Sequence, residues 1–372
     1  MAKKALITID GAYHKIKKGF VTVDGVYKKI KKAFISIGGV WRPCWSGGEL
    51  AYYGTITPLD YSRYYLAATS VGDYALFGGG LTSSDSNTNK IDAYDSSLVR
   101  TSPTAMNINR DHLAATSVGN YALFCCGQNG SSYVATVEPY DTSLTRGSSL
   151  GGAYSVCDLA ATTVGNYALF GGGAGRRVQS AMQSISNSLT VNNSVTSLSV
   201  ARANLAATTV GGYAIFGGGT GSGGAKQEVD AYDASLTHVS NISSLSGTKR
   251  YHAATTVGDY ALIGPCYSNS AVDVYDSSLT HSTTAQPALY GDYGSATSIG
   301  DYAIFARGLD SLDDVYFATA EVYDASLTKV FTFELSVARS NMAATTVGNY
   351  ALFGGGISIS GASDVVDAFT IA

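Results

Sequence analysis

The sequence predicts an all-β protein, a seven-bladed β-propeller preceded by a small segment of β-hairpins. A motif of the form Leu-Ala-Ala-Thr-x-Val-Gly-x-Tyr-Ala-Leu-Phe-Gly-Gly-Gly recurs seven times, and its tyrosines lie 42 to 48 residues apart. A period of about 40–50 residues with strand-like segments inside it is typical of propeller blades. The tyrosines that mark the repeats are Tyr74, Tyr121, Tyr167, Tyr213, Tyr260, Tyr302 and Tyr350.

The first repeat contains the four strands that one blade needs. Leu66–Ser70 is a short strand of small residues, as the crowded axis requires, and Tyr74–Phe77 is fully apolar. After a polar loop, Ile91–Asp95 alternates between apolar and polar residues, and Val99–Thr104 follows a turn. Four antiparallel strands in one repeat form one blade.

The two ends of the repeat array predict how the propeller closes. The last repeat ends with its third strand, Val366–Ala372, and one unassigned strand, Tyr52–Pro58, precedes the first repeat. We expect Tyr52–Pro58 to supply the outer strand of the seventh blade, since this removes an open edge. The propeller is therefore predicted to occupy residues 46–372.

Residues 1–45 carry a second repeat, with a period of 14. Ile7–Phe20 and Val21–Phe34 each contain an alternating strand, Asp-Gly and a basic strand, and Ile35–Pro43 is a truncated third copy. Asp-Gly between alternating strands predicts a two-residue hairpin turn. The segment holds ten Lys/Arg and two Asp, whereas the remaining chain holds fourteen Lys/Arg and 26 Asp/Glu. So small a sheet is marginally stable alone, so we expect it to pair with other copies or a larger partner.

The lysines of this segment have three interpretations: a solvated edge that resists aggregation, a surface that docks on an acidic partner, or a nucleic-acid contact. If the lysines dock on an acidic partner, the segment anchors the protein to that partner and binds no nucleic acid. The anchoring residues would be Lys15, Lys17, Lys18, Lys28, Lys29, Lys31 and Lys32.

Other sequence features indicate a chain made in the cytoplasm. No apolar core of a secretory signal follows Met1, and no stretch approaches the ~18 apolar residues of a membrane span. The five cysteines form no recognisable disulfide framework. We also find no motif for a catalytic site, a metal or a cofactor; a Ca²⁺ site at Asp310, Asp313 and Asp314 is a weak alternative because the EF-hand glycine spacing is absent.

The repeats differ on one face of the predicted propeller. On one face, which we call the constant face, the sequences of the Val-Gly-Asp/Asn and Asp-Ser/Ala-Ser-Leu turns recur almost unchanged. The opposite face, formed by the second-to-third loops and the interblade segments, is the variable face. Divergence of one set of loops on a repeated scaffold indicates a binding face, although unconstrained drift is the alternative.

Tyrosines and arginines are the candidate binding residues of the variable face. Tyrosine suits stacking on sugars and anchoring of protein partners. An arginine before five inner strands would ring the channel mouth and bind an acidic sugar, or would cap backbone carbonyls. The candidates are Arg63, Tyr64, Tyr65, Arg110, Tyr133, Tyr154, Arg202, Arg250, Tyr251, Tyr267, Tyr290, Tyr293, Tyr316 and Arg339, while His112 and His252 are assigned to packing.

The chain resembles two known families. Over about residues 51–372, each repeat resembles the kelch repeat. A small-residue strand is followed by an apolar strand ending in Gly-Gly, then by a variable loop, and then by Val-x-x-Tyr-Asp. The kelch tryptophan is absent, repeat three has Ser186-Asn187 for Tyr-Asp, and repeat six has Ala306-Arg307-Gly308 for three glycines. The kelch resemblance implies that the arginines cap carbonyls of a neighbouring blade.

The second resemblance concerns about residues 3–43, which are similar to basic hairpin repeats of bacteriophage and prophage tail proteins, through Lys28–Val40. The two resemblances imply a non-enzymatic virion protein, made in the bacterial host cytoplasm and oligomeric in the particle. It would bind phage structural proteins through the hairpins and a host-surface glycan or protein through the propeller. An intracellular kelch interaction scaffold and a carbohydrate-active enzyme are the alternatives.

Overall fold

The computed structural model describes residues 49–152, 154–284 and 288–371, together with the backbone of six strands nearer the N-terminus. These residues form strands, turns and loops with no helix in the described part of the chain. The chain separates into two compact units, Met1–Ala51 with Thr370–Ala372, and Tyr52–Phe369. The second unit is the propeller.

Seven four-stranded antiparallel sheets form the blades, which confirms the predicted architecture. The innermost strands are Ala67–Val71, Ala114–Val118, Ala160–Val164, Ala206–Val210, Ala254–Val257, Ser295–Ile299 and Ala343–Val347. The second strands are Tyr74–Gly78, Tyr121–Cys125, Tyr167–Gly171, Tyr213–Gly217, Tyr260–Ile263, Tyr302–Ala306 and Tyr350–Gly354.

The third and outer strands complete each blade. The third strands are Ile91–Asp95, Thr136–Asp141, Met182–Ser186, Val229–Asp233, Asp273–Asp276, Thr319–Asp324 and Val366–Ile371. The outer strands are Arg100–Thr101, Leu150–Gly151, Val191–Val195, His238–Val239, His281–Thr283, Lys329–Glu334 and Leu50–Ile56. In blade seven, Leu50–Ile56 pairs beside Val366–Ile371, two residues earlier than the strand that the sequence analysis placed at Tyr52–Pro58.

The core lies between neighbouring blades. Within one such layer, Ile91 and Met106 of blade one pack against Phe124 and Tyr140 of blade two. The third-strand tyrosine also joins blades through its hydroxyl, since Tyr140 Oη donates to Thr104 O at 2.8 Å. Tyr94, Tyr232 and Tyr275 make equivalent bonds to Thr57, Thr196 and Ser243. Each repeat therefore contributes half of a layer, as in other repeat folds.

The constant face is built from two kinds of tight turn. Asp95 Oδ1 accepts the N–H groups of Ser97 and Val99, which fixes the Asp-Ser-Ser-Leu turn. Gly72, in the Val-Gly turn, has a φ of +54°, and a Cβ there would lie 3.1 Å from Thr142 Cγ2 of blade two. Both turns therefore have residues chosen for backbone geometry and interblade packing.

The variable face carries five short two-stranded sheets among the described residues, and four of them are hairpins. In blade one, Arg63–Tyr64 pairs with Leu81–Thr82, so the interblade segment lies beside the second-to-third loop of the same blade. The other pairs are Gln128–Asn129 with Ser132–Tyr133, Thr220–Gly221 with Gly224–Ala225, Leu309–Asp310 with Val315–Tyr316, and Ile357–Ser358 with Gly361–Ala362.

The N-terminal unit contains the three predicted hairpins. They pair Leu6–Ile9 with Ala12–Lys15, Phe20–Val23 with Val26–Lys29, and Lys32–Ile37 with Val40–Ser46. The backbone of four candidate anchoring lysines belongs to these strands, namely Lys15, Lys28, Lys29 and Lys32. Lys17, Lys18 and Lys31 lie outside the described residues.

Candidate functional site at the mouth of the channel

One residue of each blade adopts a left-handed backbone conformation just before the inner strand. Its φ lies between +47° and +57° in all seven blades, although none of these residues is a glycine. Non-glycine residues rarely adopt this conformation, and seven equivalent examples indicate a repeated structural requirement. We call them the ring residues: Tyr65, His112, Asp158, Asn204, Tyr251, Tyr293 and Asn341.

The requirement is a closed circle of backbone hydrogen bonds. The N–H of each ring residue donates to the carbonyl of the ring residue one blade earlier, with N···O distances of 2.7–3.2 Å. The circle closes where Tyr65 N donates to Asn341 O. The left-handed conformation turns these groups along the circle, so the backbone is fixed while each side chain is free to vary.

The ring side chains surround a cavity of about 310 Å³ on the axis of the propeller, on the variable face. All seven are half-buried. The residues that follow them form the floor, which is apolar except at His252: Leu66, Leu113, Leu159, Leu205, His252, Gly294 and Met342. The volume is at the lower end of the ~300–1,000 Å³ typical of small-molecule sites.

Two aromatic pairs are separated by polar residues around this cavity. The rings of Tyr65 and His112 stack with centroids 3.6 Å apart, and those of Tyr251 and Tyr293 stack at 4.3 Å. Asp158 and Asn204 lie between the two stacks on one side, and Asn341 lies between them on the other. The Asn204 amide has no hydrogen-bond partner among the described residues, so it is available to a ligand.

Burial raises the pKa of two phenols of the cavity, Tyr65 and Tyr293. Burial, and then the Asp158 carboxylate, raise the pKa of Tyr65 to about 12. Burial and the neighbouring Tyr251 also raise the pKa of Tyr293 above its ordinary value. These hydroxyls therefore remain hydrogen-bond donors and acceptors throughout the physiological pH range.

Opposite charges lie at two points of the mouth. The Asp158 carboxylate accepts a hydrogen bond from Cys157 Sγ, at 3.2 Å. The exposed Arg250 guanidinium lies 5.4 Å from the centroid of the Tyr251 ring.

Two histidines also lie at this site. His112 Nδ1 donates to the carboxylate of Asp111 at 2.6 Å, because a carboxylate can only accept. Below them, burial and then Lys249 lower the pKa of His252 to about 3, so the imidazole is neutral.

Four of the candidate arginines are inaccessible, which corrects the expectation that they ring the mouth. Arg63, Arg110, Arg202 and Arg339 are fully buried. Arg202 Nη2 is 2.6 Å from Asp230 Oδ2 and donates to Phe216 O at 3.1 Å, both in its own blade. The other three pair with Asp92, Glu138 and Asp367. The guanidinium therefore caps carbonyls of its own blade, not of a neighbouring one.

Neighbouring blades are instead connected by the backbone of the same residues. Gly219 N donates to Lys249 O at 2.7 Å, and Gly80 N donates to Arg110 O at 2.8 Å. Lys249, not Arg250, is thus the blade-five equivalent of the arginines, and its Nζ lies 2.8 Å from Asp273 Oδ2. Arg250, which the sequence analysis grouped with the arginines, lies one residue after this position.

The two blades without this cation compensate differently. In blade three Val156 takes the cation's place, and the buried acid is replaced by neutral Gln183. In blade six, Gly291 takes its place and the acid remains, as Glu321, paired with Lys329 from the outer strand at 3.0 Å. At this position of the third strand, a buried carboxylate is therefore present only where a cation pairs with it, as desolvation requires.

The remaining candidate tyrosines have several positions. Tyr64 donates to Asp85 at 2.8 Å, and Tyr154 packs between blades two and three. Tyr133 and Tyr316 lie on the short hairpins of the variable face. Tyr267 and Tyr290 meet edge to face at 5.6 Å. Only Tyr65, Tyr251 and Tyr293 reach the central cavity.

Sequence reasoning assigned the ring residue His112 to packing and did not propose the other three, Asp158, Asn204 and Asn341. One signal was present: Asp and Asn occur three times at the same place, two residues before Ala-Ala, and both adopt left-handed conformations more readily than most residues.

No helix in the described residues has the length and apolarity to cross a bilayer. Within that same part of the chain, no group of three His, Cys, Asp or Glu is placed to hold a metal ion.

Comparisons with known proteins support the fold alone. No family model and no curated protein matches the sequence. The solved structure of YjhT is similar in fold, with a TM-score of 0.54 and 13% sequence identity, over 84% of this chain and 96% of that one.

Proposed function

We propose that this chain is a non-enzymatic binding protein of a phage or prophage particle. Its propeller binds a host-surface glycan or protein through the variable face, and the basic hairpins anchor it to other structural proteins of the particle. The observation that carries the proposal is the ring of seven left-handed residues, which places side chains of four types around one cavity.

The arrangement of this ring supports binding over a purely structural role. Its backbone is identical in every blade, but its side chains include three tyrosines, a histidine, an aspartate and two asparagines. A structural ring needs only residues that tolerate positive φ, and would be expected to use Gly or Asn throughout. Stacked tyrosines with a few polar groups are typical of ligand sites.

A rim patch on blades five and six favours a protein receptor as the second candidate. Leu289, Tyr290, Leu312 and Val315 are exposed apolar residues there. Arg307 lies 5.6 Å from the Tyr290 ring centroid. Tyrosine and arginine are enriched among residues that dominate protein interfaces, so this patch also suits an interaction scaffold of the kelch type.

The anchoring role rests on charge and on the resemblance to phage hairpin repeats. Ten basic residues in the first 45, beside a propeller with an excess of acidic residues, give the two parts opposite signs. Opposite charges on two partners accelerate and orient their association. The particle would supply an acidic surface to the hairpins.

Adsorption to host cells tests the binding role. We expect particles with the paired change Tyr290→Ala and Tyr293→Asn to bind cells at least roughly tenfold more weakly, since such anchors contribute about 2 kcal/mol or more. Asn is chosen at position 293 because Asn204 and Asn341 adopt the same backbone conformation. Undiminished adsorption would contradict the binding role, and a glycan chemically altered after incubation would indicate an enzyme instead.

Mass spectrometry of purified particles tests the location. The full-length chain should be present in particles, and a chain lacking residues 1–45 should fold with the same melting temperature but be absent from them. Incorporation of the truncated chain at normal levels would rule out the anchor, and a protein found only free in the cytosol would contradict the proposal as a whole.

A further inference from the structure

We propose that the central cavity binds the terminal residue of a glycan, and that this residue is an uncharged sugar. The inference rests on the proposed function of the variable face and specifies the ligand class. The cavity geometry, its polar groups and its charge balance each contribute to the argument.

The cavity favours a chain end over an internal unit. Its volume of about 310 Å³ suits a ligand of one or two rings. The floor side chains Leu66, Leu113 and Leu205 are buried, so the cavity is apolar on the side away from the mouth. A glycan that fills the cavity with its last residue would therefore extend through the mouth, on the side of the variable loops.

The wall matches the two kinds of surface that a pyranose presents. The Tyr251–Tyr293 and Tyr65–His112 stacks offer aromatic surface to the C–H face of the sugar ring. Asp158, Asn204 and the tyrosine hydroxyls lie between and beside the stacks, where they can bind hydroxyl groups. A site with this composition selects ligands that satisfy its polar groups.

The charge balance disfavours a carboxylated sugar. The four arginines and Lys249, which are the nearest cations below the mouth, are buried and already paired with carboxylates. His252 is neutral above about pH 3. A carboxylate in the cavity would lie near Asp158 with only the exposed Arg250 at the rim to offset it. Like charges in a partly desolvated site are unfavourable.

The same balance disfavours an amino sugar. A ligand ammonium group would gain Asp158 but would be repelled by the Arg250 guanidinium, which lies 5.4 Å from the centroid of the Tyr251 ring. The buried Asp111 carboxylate already accepts hydrogen bonds from His112 and Asn87, so Asp158 and Arg250 are the charged groups that a ligand at the mouth would meet. These two have opposite signs, so an uncharged ligand leaves neither facing a like charge.

Full-length protein and labelled oligosaccharides test the inference. The oligosaccharides share one internal chain and end in a neutral hexose, an N-acetylhexosamine, a uronic acid or a hexosamine with a free amine; fluorescence polarisation gives each affinity. We expect at least one uncharged end to bind at least tenfold more tightly than both charged ends. Preference for the acid or the amine, binding independent of the terminal residue, or no binding at all would overturn the inference.

Matched variants locate the bound sugar. Tyr251→Asn keeps the left-handed backbone and removes one stacking ring, so the affinity for the preferred uncharged end should fall roughly thirtyfold. Tyr133→Asn, on a hairpin outside the cavity, should leave it unchanged, and both variants should melt like the parent. Equal effects of the two substitutions would place the sugar outside the cavity and overturn the inference.

Charge variants distinguish the ligand classes. Asp158→Asn should weaken binding of an uncharged end only about fivefold, because one charge-assisted hydrogen bond becomes a neutral one. Loss of all binding in this variant, or in Arg250→Gln, would indicate an ion-paired ligand and overturn the inference. If no sugar binds but Tyr251→Asn still abolishes adsorption to cells, the proposed function survives with a protein receptor and only this inference fails.

Discussion

On the constant face the blades repeat side chains, whereas on the variable face they repeat a backbone conformation. The Asp that fixes this turn in five blades recurs as Asp95, Asp141, Asp233, Asp276 and Asp324 because its carboxylate accepts two turn N–H groups. The ring residues instead share only φ and one backbone hydrogen bond. Sequence monotony therefore marks packing, and sequence divergence over a fixed backbone marks the surface that is free to acquire a ligand.

The largest expected effect tests the buried ion pairs beneath the ring. Arg202→Val leaves Asp230 buried without its guanidinium, and such a change typically costs about 3–5 kcal/mol. The double change Arg202→Val with Asp230→Gln reproduces the Val156 and Gln183 pair of blade three. Urea denaturation should therefore show the double variant to be more stable than the single one.

A double variant no more stable than Arg202→Val would contradict this account of blade three. It would mean that Asp230 is stabilised mainly by its other partners, His238 and the N–H of Ser199. Burial alone raises the pKa of Asp230, but Arg202 and these partners outweigh it and lower the pKa overall. The stability that Asp230 contributes in the parent is thus lost as the pH falls below about 4.

The blade architecture was predictable because each blade repeats the same physical problem. Small residues at the axis, the apolar second strand and Tyr-Asp recur at fixed distances, so seven blades and their strand order follow from the period. The closing strand also followed, since an array that ends on a third strand needs an outer strand from elsewhere. These features follow from the repeat period and from the strands present at the two ends of the array.

The ring was not predictable in the same way because its backbone requirement arises between blades. Nothing local in Tyr65 or Tyr293 indicates a positive φ, since the conformation is stabilised by a carbonyl of the preceding blade. The arginines were misplaced for a related reason. Their burial depends on acids in the third strand, about 28 residues away, which a motif read from one segment does not include.

The second prediction concerns the free energy of unfolding, and it compares two glycines that have similar φ values but lie on opposite faces. Gly211, in a constant-face turn, has φ +56°, and a Cβ there would lie 2.6 Å from Ser277 Cα. Gly130, at a hairpin tip on the variable face, has φ +59° and nothing within 4 Å. Alanine at Gly130 should cost about 1–2 kcal/mol from the backbone alone.

Alanine at Gly211 should cost about 1–3 kcal/mol more than alanine at Gly130, because it also overpacks the contact with the next blade. Thermal melts of the two variants provide the measurement. Equal losses would mean that constant-face glycines are retained for their turn geometry and not for interblade packing.

A third effect concerns the floor of the cavity and depends on pH. Burial lowers the pKa of His252 to about 3, below the ~6.5 of an unfolded histidine, so protonation favours unfolding. The stability that the fold has with neutral His252 is complete above about pH 6.5, and it declines on acidification by up to about 1.4 kcal/mol per pH unit. His252→Leu introduces the residue found at Leu66, Leu113 and Leu205 and should remove this dependence.

Denaturation of parent and His252→Leu between pH 7 and pH 4.5 separates this histidine from the other titrating groups. The two proteins should differ little in slope above pH 6.5 and diverge below it, with the variant less sensitive to acid. Parallel curves across the whole range would show that His252 is not held neutral by the fold.

The smallest expected effect is on binding, and it tests the assignment of the faces. Asp73 and Asn349 lie in Val-Gly turns at the end of the inner strand that is farthest from the ring residues. A five-residue strand such as Ala67–Val71 is about 16 Å long, so these turns lie about that far from the ring residues. Asp73→Ser and Asn349→Ser should therefore leave adsorption to host cells within about twofold of the parent, because a neutral change at that distance alters no contact in the cavity. Tyr251→Asn, measured in the same assay, is the positive comparison. Loss of adsorption from the turn variants with retention in Tyr251→Asn would reverse the assignment, since the repeated surface and not the divergent one would then be the surface that meets the host.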